Sequence, residues 1–162
     1  MAKAVTKIRT RAKKSPARRS AARASPKASA KPASHRHKFM VHRHDPSQFK
    51  GDGLRDYAQY RDLGVKDATH GMAVAHVIKL VGKCDPKVVS KLHTHEADFQ
   101  MIYVLKGSIT SEFEGQGAHT MKTGDAWLQP KNIKHKVLDY SEDCELLEIV
   151  MPANFKTVEL EK

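Results

Sequence analysis

Ten histidines stand among the 162 residues, and three of them are spaced in a way that can do metal chemistry. His93 and His95 flank Thr94. On an extended strand, side chains two apart point the same way, so these imidazoles can converge on one point. Gln100 follows in the next apolar run, where it can share an inward face with Ile102 and Val104. His135 comes just beyond the Pro130, Lys131, Asn132 turn, at the start of another strand-like run. Three imidazoles and a side-chain oxygen, gathered by antiparallel strands, make a site for a divalent transition metal. Imidazole suits Zn, Fe, Ni, Cu and, less strongly, Mn. Glu148 lies among Leu146, Leu147, Ile149 and Val150, and facing inward it would be a hydrogen-bonding partner for a liganding histidine.

The elements that must position these residues read as β. Ala73–Val81 is apolar and β-branched, and 88–93, 99–105, 108–114 and 118–122 are strand-length runs. Lys106–Gly107 and Gly115–Gln116–Gly117 are turn signals at hairpin spacing. Residues 127–129, 135–139 and 145–151 bring the expectation to seven or eight strands. Short strands at regular intervals with no helical stretch between them predict an all-β antiparallel barrel or sandwich with a mouth for a ligand. Before the first of them, the pattern predicts a short helix over 54–60.

At this point the spacing resembles that of a family. His93, Thr94, His95, then Gln100, then Gly107 is similar to the first motif of the cupins. Gly124, Pro130, Asn132 and His135 resemble the second. The resemblance covers Ala73–Pro152 and departs from the pattern at four positions. Lys87 stands where a Gly often opens the first motif, and Gln100 replaces the usual Glu. Asn132 replaces a Gly, and Asp139 an Asn. Asn tolerates the left-handed backbone that such a turn needs. The resemblance implies a jelly-roll β-barrel, commonly a homodimer, with a metal inside it. The ligands would be His93, His95, His135 and, as a fourth, Gln100, and the ion Fe, Mn, Zn or Ni.

Glutamine in place of glutamate leaves the ion's charge uncancelled by its ligands, which favours an anionic small-molecule substrate or an ionised bound water. An amide also binds less tightly than a carboxylate, so Gln100→Glu is expected to raise metal affinity. The implied activity is metal-assisted chemistry of dioxygenase, isomerase or lyase type on a small anionic molecule. The competing reading is a non-catalytic module that holds a small ligand.

Charge divides the chain. Residues 1–38 hold 13 Lys or Arg and no acid, whereas the remainder is close to neutral within a total of +11. That excludes a basic globular nucleic-acid-binding fold. No stretch approaches the ~18–20 apolar residues of a helical membrane span. The expected organisation is a disordered basic tail over 1–38, a lead-in segment over 39–72 and the barrel over 73–162. A flexible polycation attracts nucleic acid without sequence preference. Cys84 and Cys144 form no disulfide framework, so reduced thiols and a cytoplasmic location are expected, with organellar targeting by the tail as the alternative. Met40 offers an alternative start where the apolar pattern begins.

Overall fold

Ten strands and two single-turn helices organise the chain in a computed structural model that describes residues 36–51, 53 and 55–160. The expectation of a disordered tail falls, but for residues 36–38, outside the described residues. The elements are β1 (Ala58–Asp62), α1 (Val65–Ala68), β2 (Val74–Leu80), α2 (Pro86–Val89), β3 (His93–His95), β4 (Phe99–Lys106) and β5 (Ser108–Phe113). They continue with β6 (Gly117–Lys122), β7 (Ala126–Leu128), β8 (His135–Tyr140), β9 (Glu145–Met151) and β10 (Thr157–Glu159). Two five-stranded antiparallel sheets result, ordered β1-β2-β9-β4-β7 and β10-β3-β8-β5-β6. This is the expected all-β jelly-roll barrel.

Alternation builds the interior. On β4, Gln100, Ile102 and Val104 are buried, and on β9, Leu146, Glu148 and Val150 are. Ile102, Val104, Ile109, Phe113 and Leu146 belong to one apolar cluster, each contributing ~1.5–3 kcal/mol by leaving water. The β4–β5 turn requires glycine. Gly107 has φ +71°, and a Cβ there would stand 2.2 Å from Ser141 Oγ.

Three local expectations are corrected. Of the short helix expected over 54–60, the described residues 55–60 are not helical; Ala58–Asp62 instead pairs along β2, from Ala58 opposite Leu80 to Asp62 opposite His76, so sheet formation overrides the local pattern. Residues 88–93 are not one strand. Asp85 accepts from Lys87 N, and Pro86 occupies the first helical turn, so α2 forms before β3 can begin. Finally, β10 adds a strand that its three residues did not announce.

Candidate metal centre

His93 lies directly opposite His135 in the β3–β8 ladder, and His95 follows on the same face of β3. Their ring centroids are 4.1 Å apart for His93–His135, 5.0 Å for His93–His95 and 5.1 Å for His95–His135. One ligand nitrogen from each ring lies within 4.8 Å of the other two. The expected trio therefore meets inside the barrel. Asn132 has φ +62°, and its backbone N–H donates to His95 O at 3.0 Å, tying the turn before β8 to β3.

Backbone carbonyls set the tautomers. His93 Nδ1 donates to Lys91 O at 2.8 Å, and His135 Nδ1 to Ile133 O at 3.0 Å, which leaves each Nε2 unprotonated with its lone pair turned into the barrel. His95 Nδ1 lies 2.9 Å from Thr157 Oγ1 on β10. Burial, foremost, lowers all three imidazoles to about 4. Neighbouring histidines and the Arg55 charge act in the same direction. Near neutral pH the rings are uncharged, the protonation state a metal ligand needs. Three neutral imidazoles, two buried and His95 half-buried, fit a divalent transition ion.

Gln100 is buried and its amide is oriented. Its Nε2 donates to Glu148 Oε1 at 2.6 Å, while Oε1 accepts from Gln129 Nε2 at 2.9 Å. The same Gln129 nitrogen lies 3.1 Å from His135 Nε2. Glu148 faces inward, as the sequence allowed, but its partner is His76 rather than one of the trio. His76, opposite it on β2, lies with Nε2 2.5 Å from Glu148 Oε2. Burial alone would raise this carboxyl. Hydrogen bonds from His76 and Gln100, with the positive field of His76, outweigh burial and hold it below the usual carboxylate value. Glu148 is ionised near neutral pH. One inference from sequence is thus amended, because exchanging Glu for Gln at 100 moves the site's carboxylate one hydrogen bond outward rather than deleting it.

His76, Gln129 and Arg55 were missed. Gln129 sits next to Pro130 of the second motif, a usable signal. His76 alternates with Ala75 and Val77 on a strand buried on both faces, where periodicity assigns no inside. All three line one cavity of about 260 Å³ together with the trio and Glu148, the lower end of small-molecule sites. Trp127 packs against the apolar cluster and is also part of the cavity wall, and the Phe113 ring stacks on His135 at 6.0 Å.

A profile of the cupin domain matches residues 81–150. Solved structures share the fold. KdgF from Halomonas sp. is 21% identical at a TM-score of 0.54, over 72% of this chain and 95% of that one. The polyketide cyclase RemF from Streptomyces resistomycificus is 18% identical at 0.59, over 76% and 87%. Oxalate decarboxylase from Lactobacillus farciminis is 13% identical at 0.52, over 67% and 32%. No curated protein matches the chain. With both histidine motifs converging inside a barrel of this topology, residues 81–150 carry the cupin-domain match and the described chain has the fold of a small cupin.

Proposed function

We propose that this cupin is a metal-dependent enzyme that relocates a proton on a small anionic molecule carrying a carbonyl group. One juxtaposition carries the reading. The three uncharged imidazoles come from one sheet, and an ionised, buried carboxylate, Glu148, enters the same cavity from the other. His93, His95 and His135 would hold Fe, Mn, Zn or Ni, with Gln100 as the fourth ligand through its Oε1. The ion, when bound, supplies Lewis acidity that polarises a carbonyl or enolate oxygen.

The remaining work falls to the chain's own groups. Glu148 takes a proton from the carbon beside the carbonyl; returning it to another carbon completes an isomerisation, giving it to a departing group completes an elimination, and giving it to the oxygen of a second carbonyl that the carbanion has attacked completes a ring closure. His76 and Gln100 each engage one carboxylate oxygen of Glu148 and fix its direction. The cyclase activity named for RemF supports this class. Dioxygen-dependent cleavage, the other chemistry expected, leaves the Glu148–His76 pair without a task. The test is elemental analysis of untagged protein, followed by proton NMR of a panel of 2-oxo and 3-oxo acids in D₂O. Metal-dependent loss of C–H signal beside the carbonyl is expected. Absence of bound metal after reconstitution would remove the proposal.

A second reading concerns residues 1–38, whose 13 positive charges favour non-specific nucleic-acid contact. Mobility shifts across a salt series should depend on these residues, and binding unchanged by their removal excludes them. The homodimer implied by the resemblance is checked by sedimentation equilibrium.

A further inference from the structure

Among the residues that line the cavity, Arg55 is the Lys or Arg side chain, and the chemistry above does not use it. It precedes β1, in the lead-in segment, and its side chain is nine-tenths buried. Nη1 donates to Glu159 Oε1 on β10 at 2.5 Å. Nη2 is buried and finds no hydrogen-bond partner among the described residues. Arg55 lines the cavity of the histidine trio, and its charge depresses all three imidazoles. It also acts on Tyr57 and Tyr60, both in that cavity.

An unpaired N–H on a buried guanidinium is costly, about 1–3 kcal/mol or more for a charged group. A protein retains such a group where something else completes it. Glu159, the existing partner, is two-fifths exposed and engages one nitrogen only. Guanidinium geometry matches a planar carboxylate, and in a cavity shielded from water such a contact is stronger than at a surface. Glu148 is the buried anion of the cavity, but its oxygens are turned to His76 and Gln100, and the partner Arg55 meets is Glu159. The second guanidinium nitrogen is left for an incoming anion.

We propose that Arg55 binds a carboxylate of the molecule that occupies the cavity and so selects small carboxylic acids, with Glu159 as the competing internal carboxylate. This deepens the proposed function and rests on its reading of the cavity as a substrate site, but the recognition step can be measured without turnover. Trp127 is the sole tryptophan and lines the cavity, so its fluorescence reports occupancy.

The experiment titrates full-length protein, metal-reconstituted and chelated, with succinate, its neutral diamide and inorganic phosphate. Succinate should bind, and the diamide should not. Arg55→Met should weaken succinate about 10- to 100-fold, as expected for loss of a charge-assisted hydrogen bond, with Arg55→Lys between the two. Glu159→Gln should tighten it several-fold by removing the competitor, an effect that a purely structural Arg55–Glu159 link would not give. Equal succinate affinity in wild type and Arg55→Met, no succinate binding by wild type at millimolar concentration, or phosphate binding as tightly as succinate would each overturn the proposal. If Arg55→Met does not fold, Glu159→Gln decides, and absence of a gain overturns it. Arg55-dependent succinate binding by a protein that takes up no metal would sink the metal reading alone. Metal uptake without Arg55-dependent binding would sink this proposal alone.

Discussion

The two sheets meet at one cavity but bring opposite chemistry to it. The β10-β3-β8-β5-β6 sheet contributes His93, His95 and His135, uncharged, with His93 and His135 held by main-chain carbonyls two residues back along the chain. The β1-β2-β9-β4-β7 sheet contributes His76, Gln100 and Glu148, joined side chain to side chain across adjacent strands. Local carbonyls fix a ring whatever the partner sheet does, which suits a ligand set. Cross-strand side-chain bonds can exchange protons and transmit charge, which suits acid–base work. Under the proposed function, the first sheet supplies the three imidazole ligands, and the second supplies Gln100 together with the proton-transfer pair.

Breaking the first sheet's contribution should have the largest effect. His135→Ala is expected to reduce metal from about one ion per chain to near zero by elemental analysis, and to abolish C–H exchange. Retention of metal would dissolve the contrast between the sheets. Next comes Glu148→Gln, which keeps the side-chain shape and can keep both hydrogen bonds. It should leave metal content intact and slow exchange ~10²- to 10⁴-fold, the usual contribution of a positioned general base. Loss of metal in parallel with activity would mean that Glu148 itself helps to hold the ion.

The chelated protein sharpens the comparison through pH. The folded trio titrates at about 4 against 6.5 for free imidazole, so between these values the unfolded chain binds more protons. The trio's contribution is complete above about pH 6.5 and is lost as pH falls toward 4. Melting of the chelated protein should drop by about 5 °C or more across that window. A flat profile would mean that the rings are charged in the fold.

The smallest change is expected from Gln100→Glu. Sequence alone predicts tighter metal binding, but the new carboxyl would face Glu148 at hydrogen-bond distance. Two carboxyls in contact share a proton, so calorimetry should show no more than roughly tenfold gain in affinity. A larger gain would imply that Glu148 turns away.

What was legible followed from short-range geometry. The His93–His95 pair is fixed by the two-residue strand period, and Gln100 by alternation with Ile102 and Val104. Asn132 adopts the left-handed turn read from its type. What was illegible depends on strand order. Glu148 has apolar neighbours on both sides in sequence, so periodicity could not aim it. His76 reaches it because β2 lies beside β9, 72 positions away along the chain. Arg55 is farther still from Glu159, across 104 positions, and no local pattern encodes that contact.

One short strand has an effect larger than its length. β10 pairs residue for residue with β3, placing Thr157 opposite His95 and Glu159 opposite His93. Thr157 holds one imidazole, Glu159 holds the guanidinium, and Leu160 N donates to Leu92 O at 2.9 Å. Peeling this ribbon away would unfasten two cavity groups at once while the apolar cluster stayed closed.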